Sequence, residues 1–503
     1  MDAQSRPLQS NPACSDRNSK CMKECAPLLP AIYDINDSQR SHYLSTETGQ
    51  KIEIVSDVDD DDKNSRKSAS KLPAGQSTLS GVTFNLINAL LGVGILAMPY
   101  SYAKCGIIGG MALMLLFAIL CTYTLNLLII AGQHKKVINY EDLGYECYGY
   151  GGYIAVSLCM FLLDYGVMIT CLIIIGDGSS AIMQVWGISG LFARRMEILV
   201  VSIFIIFPLT LQRDISKIEF FSFLKVLALT LVTVVIIYDC FVRFEEVSSA
   251  LHAQQGRIKW FDINGIPFAL GIFAFAFVCH DTAFLYYNSL YNPTIWRWTR
   301  LSLGGIGSAM VISVLLSIPA YLTFTEQTQG NILNNYEISS VLIIIVRVLY
   351  ILCMALTYPI PLFIVRHIVY EAYTRWKYRK LQRSMHDLEA RISSGIKDTS
   401  LKNHLLFSCT AFFSSLAISM FIDNLGVAMS VIGSLSSVNL AFVFPCAFYL
   451  NTVQYDWRFW KYDTLKLQCD AFLSWYPPAL LGIFGVFIGI YSVVITLMQQ
   501  NNE

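Results

Sequence analysis

Long apolar runs separated by short polar breaks dominate the chain from residue 78 onward. Runs of about 18 to 25 residues match the roughly 30 Å hydrocarbon core of a bilayer at about 1.5 Å of helical rise per residue. They predict membrane helices near 80–102, 106–132, 152–176, 195–212, 216–240, 263–284, 300–323, 337–366, 404–423, 426–450 and 473–498. The fold class this predicts is an all-α integral membrane protein of about eleven spans. Residues 1–77 are polar, carry an acidic run from Asp57 to Asp62, and hold no apolar stretch suited to a cleaved signal peptide. They read as a disordered cytosolic tail. Residues 78–450 read as the core with helices one to ten, interrupted by a cytosolic loop at 367–403. Residues 451–503 supply helix eleven and a short outer or lumenal C-terminus.

Composition strengthens this reading. The 503 residues are 54% hydrophobic and 14% charged, with a mean hydropathy of +0.51, against roughly 25% charged residues in soluble domains. The formal net charge is +0, so no basic field argues for nucleic acid. Lys and Arg positions set the orientation instead. With the tail in the cytosol, inward loops carry Lys135, Lys136, Arg213, Lys217, Arg297, Arg300 and a dense basic stretch from Arg375 to Arg391. The outward loops hold chiefly Lys104, Arg194, Arg195, Arg243, Arg257 and Lys259. The 14 cysteines show no metal-ligand spacing, so neither a zinc site nor a disulfide framework is expected. No HExxH, GxSxG or P-loop occurs, which argues against an enzyme.

The first and sixth runs differ from ordinary spans. The first reads Asn88-Ala-Leu-Leu-Gly92-Val-Gly94-Ile-Leu-Ala-Met-Pro99, and the sixth runs from Pro267 and Gly271 through Phe273, Phe275 and Phe277 to Cys279-His280-Asp281. Small and helix-breaking residues interrupt both near mid-membrane. Breaks five helices apart predict a five-plus-five inverted repeat, with unwound segments facing a shared cavity. The alternative is that these glycines only allow close helix packing.

The stretch Phe84-Asn85 through Asn88, Gly92 and Gly94 resembles the first-helix motif of the amino acid/auxin permease family. Tyr140-Glu-Asp-Leu-Gly144, Phe275-Ala-Phe-Val-Cys279-His280, Tyr321-Leu-Thr-Phe324 with Thr328-Gln-Gly330, and Leu356-Thr357-Tyr-Pro359 agree with it in order. Within that family the likeness is to the sodium-coupled neutral amino acid transporters and their vacuolar relatives, over roughly residues 78–450. The resemblance implies the fold of the bacterial leucine transporter, alternating access around helices one and six, and symport of neutral amino acids with sodium or protons. It implies a sodium site drawing on Asn88, Leu91 and Thr357. Oxygen ligands suit a hard cation, although Asn88 could equally bridge helices and Thr357 could bond back to its own helix. The substrate carboxylate is expected at the amides of Gly92, Val93 and Gly94, at the positive end of a half-helix. Phe275 and Cys279 are expected in the side-chain pocket.

Ionisable residues at membrane depth are functional candidates by default. Lys225 in the fifth run could take the place of a sodium ion, as a helix-five amine does in related folds, and load and release a proton. Alternatively its long stem snorkels to the interface. His280 is a second proton-coupling candidate. Asp164 and Arg347 read as structural groups of the bundle whose partners the sequence does not reveal, and Asp423 as a helix cap. In the tail, Glu24, Leu28 and Leu29 resemble an acidic dileucine signal read by sorting adaptors, which places the lysosomal or vacuolar membrane beside the plasma membrane as the residence. No cofactor is expected beyond the coupling ion. The rival to a transporter is an amino acid-sensing receptor that signals through its N-terminal tail.

Overall fold

The computed structural model describes residues 77–184, 187, 190–211, 218–243, 258–336, 341–379, 401–422, 424–453 and 465–500. The tail with Glu24, Leu28 and Leu29, the basic stretch beyond residue 379, and Asp423 lie outside the described residues. Two compact units are present: Lys71–Thr452 with Pro478–Glu503, and Met1–Ser70 with Val453–Pro477. In the second unit the described residues are Val453 and the opening turns of the last helix.

Every described element is helical. In chain order they are α1 (Leu79–Leu90), α2 (Met98–Lys135), α3 (Tyr140–Gln184), α4 (191–210), α5 (Ile218–Val242), α6 (Ile266–Phe277), α7 (Ala283–Ser289), α8 (Ile295–Phe324), α9 (Val341–Thr357), α10 (Pro359–Arg379), α11 (Leu401–Ser419), α12 (425–452) and α13 (Leu465–Gln500). Among the described residues seven stretches are long and apolar enough to cross a membrane, and Leu79–Leu90, Ile263–Phe277 and His404–Ser419 are further, shorter apolar helices. The predicted spans all recur, with boundaries moved for identifiable reasons. Segments one and two run together as α2 across a kink at Gly106 (φ 82). A Cβ there would lie 2.6 Å from the carbonyl carbon of Trp260, so only glycine fits the corner. Segment three starts earlier than predicted, because residues 140–147 form a helix of their own before a kink at Tyr148 and Gly149.

The predicted loop at 367–403 needs correction at its start. Pro359 lacks an N–H and interrupts the ladder after Thr357, and α10 then continues to Arg379. Arg375 holds this polar extension in place by donating to Glu371 Oε1 at 2.7 Å and to Asp142 Oδ1 at 3.1 Å. Low hydropathy made 367–379 read as loop, whereas paired charges keep it helical.

The loops collect at two opposite ends of the bundle. At one end the Ile107 and Ile108 amides donate to the carbonyls of Lys259 and Trp260, and Lys259 lies 3.8 Å from Glu326. At the other, Ser77 and Ser289 pair through their backbones at 3.1 Å, Asn288 donates to the Ile138 carbonyl at 3.0 Å, and Gln133 donates to the Tyr287 hydroxyl. Between the ends, α6 is buried from Pro267 to Phe277. Serines from two helices tie down its first turn: Ser430 donates to the Phe268 carbonyl at 3.0 Å and Ser492 to the Pro267 carbonyl at 2.6 Å. Both hydroxyls thereby find a buried acceptor in a medium without water.

Candidate functional site

The first run of the chain unwinds where its glycines stand. Leu91 makes the last helical bond of α1, its amide donating to the Ile87 carbonyl at 2.8 Å. Gly92 then leaves helical geometry (φ −78, ψ −138), a tight 3-10 turn covers Val93–Ala97, and α2 restarts at Met98 with Pro99 in its first turn. The sixth run breaks as well: α6 ends at Phe277, Val278 is extended (φ −74, ψ 128), and α7 begins at Ala283. The two runs touch at Gly94, where an added Cβ would come within 2.9 Å of both Cα and Cβ of Ala276. Residues 93–97 are all buried, and the first amides of such a turn have no partner within it.

Lys225 reaches this break. It is 8% exposed, and its Nζ donates to the Asn88 carbonyl oxygen at 2.8 Å. It therefore does not snorkel. A Cβ on Gly92 would stand 3.8 Å from the same Nζ. The thiols of Cys171 on α3 and Cys353 on α9 are its titratable neighbours. The ammonium thus sits at the carbonyl end of α1, where the helix dipole favours positive charge.

One face of α9 completes the surroundings. Arg347, Tyr350, Cys353, Met354 and Thr357 recur at helical spacing, and the first four are at most 2% exposed. The Tyr350 hydroxyl donates to the Gly92 carbonyl at 3.4 Å. Thr357 bonds back to the Cys353 carbonyl at 2.7 Å, which leaves its oxygen lone pairs available. Asn88 is 8% exposed, and its Oδ1 has no hydrogen-bond partner among the described residues. Asn88, Leu91, Gly92, Val93 and Gly94 are therefore gathered with Lys225 at one break, with Tyr350 against its Gly92 carbonyl.

Phe275 and Cys279 are placed differently. A Cβ on Gly433 of α12 would lie 3.0 Å from the Cβ of Phe275, and Cys279, 1% exposed, has Cys121 of α2 as an electrostatic neighbour. The α6 residue facing Gly94 is Ala276, which its small side chain did not mark in the sequence. His280 is fully buried in the break; its Nε2 lies 2.9 Å from the Thr124 hydroxyl, and its Nδ1 has no partner among the described residues. Asp164 and Arg347 are not partners of one another. Asp164 has the carboxyl groups of Asp281 and Glu141 as its electrostatic neighbours, whereas Arg347 donates to the carbonyls of Leu333 and Tyr336 at 2.6 and 3.0 Å. The cap near Asp423 is made by Asn424, which accepts from the Gly426 amide at 2.9 Å.

The functional neighbour that sequence reasoning missed is Tyr350. Its spacing from Thr357 on one helical face is a signal that could have found it.

Comparison with known sequences matches residues 75–495 to the family described as "Transmembrane amino acid transporter protein". The "Putative sodium-coupled neutral amino acid transporter 11" of Danio rerio is 30% identical over 387 residues, covering 76% of this chain and 81% of its own length. The "Vacuolar amino acid transporter 2" of Saccharomyces cerevisiae is 24% identical over 378 residues, covering 74% of this chain and 75% of its own. A solved structure titled "Substrate-bound outward-open state of a Na+-coupled sialic acid symporter reveals a novel Na+-site" aligns with 84% of this chain and 91% of its own, at 12% identity and a TM-score of 0.50. That likeness concerns the fold, an all-α membrane bundle of the predicted class.

Proposed function

This chain belongs to the transmembrane amino acid transporter family and is a multi-pass secondary transporter of amino acids, and on that premise we propose that it carries neutral amino acids in symport with a proton borne by Lys225. The observation that carries the proposal is the 2.8 Å contact between Lys225 Nζ and the Asn88 carbonyl. An ammonium already occupies the end of α1, where a coupling cation would bind. The Asn88 carbonyl and the helix C-terminus favour the charged amine. When the broken helix moves and that carbonyl leaves Nζ while the amine is still shielded from bulk water, the support is lost and the proton can leave.

The substrate carboxylate fits the amides of Gly92, Val93 and Gly94 at the start of the 3-10 turn. Half-helix amides bind anions without a fixed Arg, and glycine lets the ligand approach the backbone. The α6 break near Phe275 and Cys279 bounds the side-chain end. Alternating access then consists of rocking the broken helices against their neighbours around a fixed central site.

A sodium-coupled reading has its own support. The Oδ1 of Asn88, unpaired among the described residues, the lone pairs of the Thr357 hydroxyl, the carbonyl of Leu91 and the name of the Danio rerio relative favour it. Uptake of radiolabelled L-alanine, L-leucine and L-glutamine by purified protein in proteoliposomes separates the two. Proton coupling predicts concentrative uptake with an inward proton gradient in sodium-free buffer; concentrative uptake driven by sodium alone would overturn it.

The end carrying Lys259 and Glu326 is assigned to the outer or lumenal side, with the tail in the cytosol, in keeping with the Lys and Arg distribution. The vacuolar relative and the Glu24, Leu28 and Leu29 pattern support residence in a lysosomal or vacuolar membrane through adaptor binding. Surface biotinylation before and after Leu28→Ala with Leu29→Ala tests this; sorting by the signal predicts more protein at the cell surface in the variant.

A further inference from the structure

A second polar site lies apart from the helix breaks. A cavity of about 520 Å³ opens among α3, α4, the 325–336 connection and α9. Its lining includes Asp177, Ser180, Gln184, Arg194, Asn334 and Arg347. Asp177 is the hub: Arg194 donates to its Oδ1 at 2.8 Å, and the amides of Asn331 and Asn334 donate to its Oδ2 at 3.1 Å each. Arg347 is 2% exposed, gives one terminal nitrogen to the Leu333 and Tyr336 carbonyls, and has an Nε with no partner among the described residues.

The lining therefore presents one carboxylate and two guanidinium groups in a space within the roughly 300–1,000 Å³ typical of small-molecule sites. A lone anion or a lone cation would match only half of that set. An α-amino acid carries both charges about one bond length either side of its Cα, which suits a site with both. A seam of only about 10 Å³, sharing Asn334 and Arg347 with the cavity, runs between Ile174, Gly178, Arg347, Tyr350 and Ile351. Tyr350 lines that seam and donates to the Gly92 carbonyl at 3.4 Å. Cavity and helix break are thus one turn of α9 apart, Arg347 at one end and Tyr350 at the other.

We propose that this cavity is an outer binding site for a zwitterionic amino acid, with the carboxylate on Arg347 and the ammonium on Asp177, from which substrate passes Tyr350 to the break at Gly92. The proposal rests on the transport reading above. It assigns Tyr350 the role of a gate, because the seam is too narrow to pass an amino acid unless that ring moves. Capture outside the gate raises the local concentration of substrate at the central site without taking part in ion coupling.

The test uses the full chain in proteoliposomes and radiolabelled L-alanine, L-leucine and L-glutamine as probes. Arg347→Gln is expected to raise KM about tenfold, as for one lost charge-assisted hydrogen bond, with kcat within about twofold. Because Arg347 also anchors the 325–336 connection, Ser180→Phe provides a second variant that fills the cavity and leaves every anchor in place. It is expected to raise KM by a similar factor with an unchanged elution profile. If Arg347→Gln does not fold, Ser180→Phe decides alone. An unchanged KM in the folded variants, for a probe that the wild-type chain takes up, overturns the outer site and leaves the transport reading standing. Failure of the wild-type chain to take up any probe overturns the transport reading, and this inference with it.

Discussion

Lys225 on α5 donates across 2.8 Å to the carbonyl oxygen of Asn88, so a buried ammonium closes α1 where the chain unwinds. Helix carbonyl ends attract cations, and a transporter break supplies such an end in the middle of the bundle. In the proposed mechanism the amine stands in for an ion that would otherwise come from solution. Its removal should change which ion the protein uses as well as how fast it works.

Replacing Lys225 with Met keeps much of the aliphatic volume and deletes the charge. Proton-driven accumulation should fall at least about tenfold, as expected for loss of about 1.4 kcal/mol of interaction or more. Exchange of labelled for unlabelled substrate, which needs no gradient, should survive. Parallel accumulation and exchange assays check this, and equal losses in both would point to a structural role.

Vacating the ammonium's place should admit sodium. Lys225→Ala is predicted to show sodium-stimulated uptake absent from the wild type, and adding Thr357→Ala should remove that stimulation by taking away a hydroxyl ligand. Uptake titrated against sodium in both variants checks the pair. No sodium response in Lys225→Ala would show that the site does not fit the ion.

Close contact between the two breaks makes Gly94 intolerant of size. Gly94→Ala would put a Cβ 2.9 Å from the Ala276 Cα and Cβ, and overpacking of this kind costs about 1–3 kcal/mol. A lower melting temperature in detergent and uptake reduced at least about tenfold are expected. Ala276→Gly in the same chain should recover part of the stability.

At the opposite end from the cavity, Arg375 ties α10 to the start of α3. Its guanidinium contacts Glu371 and Asp142 and lies 4.1 Å from the Tyr153 ring centre. Arg375→Ala leaves a nearly buried Glu371 without its counter-charge, for an expected loss of about 1–3 kcal/mol. Arg375→Lys should restore only part of it, since a point charge cannot span both carboxylates and stack on the ring. Thermal unfolding of the three proteins checks the order.

The sequence makes the breaks legible because glycine and proline act locally. Gly92, Gly94 and Pro99 interrupt a helix wherever it lies, and the 3-10 turn falls among them. The direction of the Lys225 side chain is not legible in this way. It depends on the rotation of α5 about its axis, which is set by packing against α1, α8 and α9. The outer cavity was hidden for the same reason: Asp177, Arg194 and Arg347 come from three helices, and their meeting follows from tertiary structure alone. The partners of Asp164 and Arg347, which the sequence does not reveal, are likewise set by tertiary structure, and the fold sends the two to different neighbours. The reach of α10 into residues 367–379 was obscured because hydropathy reports contact with lipid, and a helix end held by ion pairs has little.

The central claim is that Lys225 carries the coupling proton, and proton movement itself tests it most directly. Proteoliposomes loaded with a pH-sensitive dye, free of sodium and clamped at zero membrane potential, receive external substrate while lumenal pH is recorded. The account predicts substrate-dependent acidification by the wild-type protein and none by Lys225→Met, although the variant still exchanges labelled substrate. Equal acidification by both proteins would contradict it.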